Sequence, residues 1–410
     1  MTNFALPAEI EQLRENAARF ALEVLSPTTR RSEAAGAWPA EVRAVLDGFA
    51  LGGLDLPSRL HGADAGSLAK VVLLETLARG DAGGLPGADQ PGPTAGALLL
   101  CPDAKLTTSV ADAATRGEGG AALCVIADDE PVEKARVQWA PAQPALGAPA
   151  LRGGAVFDGT APALRGGAVF DGTAPALRGG AVFDGTAPAL RGGASLRFTW
   201  LSRGDTLQLF DVHDVLEPSP ALAFHASGGV SAPLLDDRRL GTWSLPAGAG
   251  VQLRGRARLW GAAIAVGVAQ AAFDATVEYT RERVVFGKPV AHHQGNAFEL
   301  AVAATELHGA RLIVREAAGA FDAGDPHAGY WATQAWLTAL AAAAQITDLG
   351  VQLLGGHGFL IDHLAEKRFR EARMLALLHG GRDAAEADLA AMVLDVPHPA
   401  FGGAGMQGAP

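Results

Sequence analysis

Arg254, Arg256 and Arg258 place three guanidinium groups within five residues, a local positive cluster suited to an anionic ligand in a chain whose net charge is −11. His379 offers an imidazole that in its neutral form can accept a proton near neutral pH. At a helix end, the same residue serves equally well as a polar group near free carbonyls. His292, His293, His357 and His363 lie on separate segments without ligand spacing, so no metal site is expected. Cys101 and Cys124 are the only two cysteines, and they form no C-x-x-C pair and no Cys/His ligand pattern. A reduced, cytoplasmic setting is the expectation.

The acidic balance argues against binding to nucleic acid or to an anionic membrane surface. The segment from Met1 to Ile10 lacks a basic stretch followed by an apolar core, and no apolar run approaches eighteen residues, so neither a leader nor a membrane span is expected. With 410 residues, 49% of them hydrophobic, the chain can form two or three packed domains.

The elements that must position these residues change character twice. Ile10, Leu13, Ala17, Phe20 and Val24 recur at helical spacing, with Ser26-Pro27 expected to end the helix. Trp38-Pro39 opens a second helix and Gly52-Gly53 closes it; a third runs through Leu68, Val72, Glu75 and Leu77. From residue 121 short apolar runs alternate with Gly, Asp and Pro, which predicts strands at Ala122–Ile126, Arg136–Trp139, Leu196–Leu201 and Thr206–Val212. Long helical patterns return after Gly255: Leu259, Ala262, Val266, Ala269, Phe273 and Val277 share one face, and Trp336 through Leu353 steps by three and four.

These shifts divide the chain into an N-terminal helical domain (1–120), a middle β domain (121–245), a C-terminal helical bundle (246–396) and a Gly/Pro-rich tail (397–410). Inside the β domain Ala148–Thr160 recurs identically as Ala161–Thr173 and Ala174–Thr186, with a partial copy to Ala194. A period of 13 is too short for the common helical solenoids. It reads as tandem duplication lengthening a surface hairpin, or as a small stacked β array.

Three stretches resemble the acyl-CoA dehydrogenase family. They are Gly52–Pro57 (GGLDLP) with Leu74–Ala82 (LETLARGDA), Tyr279–Gln294 (YTRERVVFGKPVAHHQ) and Gln352–Arg373 (QLLGGHGFLIDHLAEKRFREAR). The resemblance implies an α+β multidomain fold: an N-terminal helical domain, a middle β domain and a C-terminal four-helix bundle, assembled as a tetramer. It implies FAD as cofactor, an acyl-CoA thioester as substrate and electron-transfer flavoprotein as acceptor. Residue by residue, it places Arg283 and Phe286 at a neighbouring subunit's FAD, Gln294 near the adenine end, and Gln352, Gly355 and Gly356 where backbone approaches the dinucleotide. Arg258 matches an arginine near bound acyl-CoA.

The same comparison locates departures. His379 stands where the family carries its catalytic glutamate, and Gly381 where it carries a threonine. The alternative location of the base, ahead of Arg258-Leu259, holds Ala257. In the β domain, Ile126–Pro131 is a poor match to the flavin-wrapping loop, and Ala189 and Arg191 replace an aromatic and a hydroxyl residue. Residues lent to a neighbour's flavin are thus retained while those holding the chain's own are lost. This pattern resembles the base-lacking subunit of heteromeric family members. An autonomous enzyme using His379 or another carboxylate, and an acyl-CoA-binding scaffold without flavin, stay open as alternatives.

Overall fold

A computed structural model describes residues 5–35, 38–85, 89, 92–115, 120–125, 136–140, 186–190, 196–212, 217–219 and 229–395. The amphipathic first helix, α1 (Ala8–Phe20), does not end at Ser26-Pro27 as expected. It widens into a π turn over Ala21–Leu25 and continues as α2 (Ser26–Ala35). Proline cannot donate a backbone hydrogen bond, and a wider turn accommodates its ring without breaking the helix. Thr28 and Thr29 donate their hydroxyls to carbonyls of this turn, Thr28 to Val24 and Leu25 (both 2.9 Å) and Thr29 to Leu25 (3.2 Å).

After α3 (Ala40–Asp47) comes α4 (Gly66–Asp81), the most enclosed element of the N-terminal half. It lies between the first helix on one side and the bundle on the other. Leu73, Leu74 and Leu77 have no exposure, and each contributes about 1.5–3 kcal/mol of hydrophobic stabilisation. The short helices α5 (Ala95–Leu100) and α6 (Ala104–Thr115) lead to the β region.

Among the described residues, two four-stranded sheets form that region. The first orders β1 (Gly120–Val125), β4 (Leu196–Arg203), β5 (Thr206–Asp211) and β8 (Arg239–Ser244), with β1 parallel to β4 and the other pairs antiparallel. The second orders β3 (Thr186–Leu190), β2 (Arg136–Ala140), β7 (Gly229–Pro233) and β6 (Glu217–Ser219). The four expected strands coincide with β1, β2, β4 and β5 to within a residue or two. The repeats before Thr186 lie outside the described residues. Phe198, Trp200, Leu207 and Leu209 of the first sheet pack with Leu98 and Val110 into one core shared with Leu253 and Ala257.

The C-terminal bundle comprises α7 (Ala249–Glu282), α8 (Gln294–Asp322), α9 (Ala328–Leu354), α10 (Ala365–Leu375) and α11 (Gly381–Asp395). A methyl group on Gly255 would come within 2.7 Å of the Gly329 Cα. Glycine therefore lets α7 and α9 touch backbone to backbone. Farther along, Tyr279 meets His357, so the two helices run in the same direction and their C-terminal ends converge. Both are long and apolar enough to cross a bilayer by length and composition alone. Their most apolar windows are 72% and 50% buried within the protein, which accounts for that character as bundle core.

Beside the core it shares with α7, the β region is tied to the bundle by a turn. Gly204 and Asp205 join β4 to β5, and Gly204 has a φ of +51°, as a two-residue hairpin turn requires. Asp205 accepts hydrogen bonds from Gly248 (2.9 Å) and Gly250 (2.8 Å), satisfying free N–H groups at the start of α7. Arg254, one turn along that helix, donates back to the Gly204 carbonyl at 2.9 Å.

Candidate functional site

The C-terminal ends of α7 and α9 and the N-terminal end of α8 lie together at one end of the bundle. After α7 the chain makes a small hairpin, Val284–Val285 against Lys288–Pro289, whose turn residues Phe286 and Gly287 have φ of +51° and +81°. Val290 N–H bonds the Arg283 carbonyl (2.8 Å), and His293 Nε2 lies 3.0 Å from the Val285 carbonyl, fixing the hairpin against α8. Tyr279 Oη lies 2.8 Å from His357 Nδ1, tying α7 to the Gly355–Phe359 turn.

All six residues expected at a flavin are exposed here: Arg283, Phe286, Gln294, Gln352, Gly355 and Gly356. Phe286 is 93% exposed in a left-handed conformation that L-residues adopt at a cost of roughly 1–2 kcal/mol. An aromatic held out to solvent on a strained turn contributes little to this chain's own stability. Gly355 has a φ of +59°, and Cβ atoms on Gly355 and Gly356 would meet nothing within 4 Å, so the backbone lies open to a close approach. The donor set fits the phosphate-bearing half of a dinucleotide: Arg283 to fork onto phosphate, Gln294 and Gln352 as amide partners, and bare backbone between them.

The position where the resemblance expects the base is built differently. His379 sits between α10 and α11, where His379, Gly380 and Gly381 all have positive φ (+55°, +92° and +69°). His379 is buried. Its ring lies 5.9 Å from each of the Trp260 and Trp336 rings, edge-on to the first. Burial, helped by the Arg258 charge, pushes its pKa down to about 3, so the imidazole is neutral at physiological pH. Such a ring is a weak base, and its Nε2 has no hydrogen-bond partner among the described residues.

Trp260 in turn donates to Asp89 Oδ2 at 2.6 Å, and Lys70 Nζ lies 2.8 Å from the same oxygen and 2.9 Å from Oδ1. Asp89 is wholly buried, and burial raises its carboxyl pKa despite the Lys70 charge. Both of its oxygens are engaged, so it offers no free carboxylate beside His379. Ala257, at the alternative base position, is packed into the apolar core with no exposure.

Arg258, expected beside bound acyl-CoA, is fully buried: it pairs with Asp388 Oδ2 at 2.7 Å and donates to Thr333 at 3.1 Å. Arg254, four residues earlier on the same face, grips Asp388 through Nε (3.0 Å) and Nη2 (2.9 Å). Burial alone would raise the Asp388 pKa. The Arg258 and Arg254 charges outweigh it and hold the carboxyl below its ordinary range. This pair of arginines clamps α11 to α7. The third, Arg256, lies over the Phe321 ring at 4.4 Å. A second buried cluster joins the N-terminal domain to the bundle: Lys367 of α10 contacts Asp81 (2.9 Å) and Glu371, and Trp38 donates to Asp81 at 2.6 Å.

Of the β-domain positions, Ala189 lies on β3, an edge strand of its sheet, and Arg191 lies outside the described residues.

Residues 7–91 match the acyl-CoA dehydrogenase N-terminal domain and residues 253–394 the acyl-CoA dehydrogenase C-terminal domain. The chain belongs to the acyl-CoA dehydrogenase family. It is 38% identical over 123 residues to cyclohex-1-ene-1-carbonyl-CoA dehydrogenase of Geobacter metallireducens, covering 30% of this chain and 32% of that protein. The chain thus spans about a third of the length of the curated relatives it matches. Over nearly its whole length the fold resembles the ChsE4–ChsE5 complex from Mycobacterium tuberculosis (TM-score 0.67, 17% identity, 97% of this chain and 100% of that one). It also resembles PigA with FAD and proline (TM-score 0.68, 14% identity, 96% and 99%).

Proposed function

We propose that this chain is one subunit of a heteromeric acyl-CoA dehydrogenase, completing in trans a flavin site whose catalytic base belongs to a partner subunit. The observation that carries this reading is a separation within the bundle. Its flavin-lending end is open and exposed at Arg283, Phe286, Gln294, Gln352, Gly355 and Gly356. Its catalytic position is sealed, with a neutral His379 between two tryptophans. FAD, when bound in the assembly, would accept hydride from the β-carbon of an acyl-CoA thioester.

The parts played by this chain are binding and orientation. Arg283 would neutralise phosphate charge, the glycine pair would admit the dinucleotide to backbone contact, and Phe286 would cover it from water. Proton removal from the α-carbon is assigned to the partner, because an imidazole with a pKa of about 3 gives little driving force as a base. A two-protein complex of the same fold, ChsE4–ChsE5, supports a heteromeric assembly. The setting is cytoplasmic, with electron-transfer flavoprotein as the acceptor of the reduced assembly.

Turnover separates this reading from an autonomous enzyme. The chain purified alone, supplied with FAD and an acyl-CoA, should show no bleaching of flavin absorbance beyond the uncatalysed rate. A yellow lone chain bleached by an acyl-CoA at an ordinary rate overturns the assignment.

A further inference from the structure

A cavity of about 230 Å³ lies between the C-terminal halves of α7 and α9 and the first turn of α10. Its lining contains none of the six exposed residues assigned to flavin. Small and apolar groups make up one side, including Ala272, Ala275 and Leu354. Tyr279 supplies an aromatic wall, held by its bond to His357, whose ring stacks on that of His363 at 5.1 Å.

Arg368, in the first turn of α10, is the cation of this lining. Its backbone N–H bonds the Leu364 carbonyl (3.0 Å), but among the described residues its guanidinium has no hydrogen-bond or ion-pair partner. Two carboxylates act on it, and both are committed elsewhere: Glu371 binds Lys367, and Asp274 accepts from Arg79 and Gln270, both at 2.7 Å. Burial lowers the Arg368 pKa against the nearby Glu371 and Asp274 charges, while the residue keeps part of its surface open. A guanidinium in that condition presents a planar fork that matches a carboxylate. Glu278 and Glu282 stand exposed at the rim, where they disfavour a doubly charged phosphate more than a single carboxylate.

We propose that this cavity binds a small monocarboxylate, its carboxylate forked by Arg368 and its apolar body against Ala272, Ala275 and Tyr279. The volume exceeds the 150 Å³ or so known to admit benzene, so a benzoate-sized molecule fits. The proposal is independent of flavin and of any partner subunit.

Isothermal titration of the full chain with benzoate, benzamide and inorganic phosphate tests it. Benzoate should bind saturably, with benzamide and phosphate each weaker by roughly tenfold or more: the amide lacks the charge the fork requires, and phosphate lacks an apolar body and meets Glu278 and Glu282 at the rim. Arg368→Gln should weaken benzoate binding by roughly 10- to 100-fold. Ala275→Phe, which fills the cavity while leaving the arginine in place, should remove benzoate binding with the circular dichroism spectrum unchanged. If Arg368→Gln does not fold, the Ala275→Phe result decides. Absence of benzoate binding to the native chain, equal binding of benzamide, tighter binding of phosphate, or unchanged affinity in a folded variant each overturns the proposal.

Discussion

The buried imidazole of His379 makes stability depend on acid in a way that can be isolated. Its native pKa of about 3 lies far below the ordinary value of 6.5 that it regains on unfolding. Between those values the unfolded chain takes up a proton that the native chain refuses, so stability is present above 6.5 and drains away as pH falls. At about pH 5, some 1.5 units below the ordinary value, the loss comes to about 2 kcal/mol; at about pH 7.5 it is near zero. Only well below pH 3, with both states protonated, is the full shift of 3.5 units, worth about 5 kcal/mol, lost.

The assay compares urea unfolding of the native chain and His379→Asn at the two pH values. Asparagine tolerates the left-handed φ of +55° and does not titrate. Other titrating groups are common to both proteins and cancel in the difference. The native chain should lose about 2 kcal/mol more than the variant on going from pH 7.5 to pH 5. Equal losses in the two proteins would mean that His379 titrates as an exposed histidine, and the argument for a sealed catalytic position would fail.

Three further outcomes follow from the packing. Asp388→Asn strips the counter-charge from buried Arg254 and Arg258 and should cost on the order of 3–5 kcal/mol in urea unfolding. Lys367→Met leaves Asp81 and Glu371 facing each other in the interior, so a similar loss of about 3–5 kcal/mol is expected, read by the same assay. Phe286→Asn relieves a left-handed φ at a residue that buries almost nothing. It should leave the lone chain as stable or more so by about 1 kcal/mol in thermal unfolding, while lowering the flavin content of an assembled complex.

The strands and the long bundle helices were legible because alternation and three-four spacing are local properties of the chain. The continuation of α1 through Pro27 was not. The π turn at Ala21–Leu25 that absorbs the proline is held by packing on α4, where Thr29 also reaches the Gly80 carbonyl at 3.2 Å. That Arg283, Phe286 and Gln294 share one exposed end could be expected from the motif residues, since they lie within twelve positions of one another. The fate of the arginine cluster could not. Whether Arg258 meets a ligand or a carboxylate depends on Asp388, which is 134 residues beyond Arg254 and carries no local signal of its role. Nor does any sequence spacing reveal that Asp89 meets Trp260, 171 residues away, or that Trp260 in turn closes over His379.

In the proposed arrangement this chain lends half of a flavin site and does not hold a complete one. This arrangement is tested most directly by FAD per protomer in the chain alone, in its assembly with a base-bearing partner, and in that assembly carrying Arg283→Ala. The account predicts little flavin in the lone chain, full occupancy of the partner's sites in the assembly, and a clear fall when Arg283 is removed, because a charge-assisted contact to phosphate is lost. Stoichiometric flavin in the lone chain, or unchanged occupancy in the Arg283→Ala assembly, would contradict it.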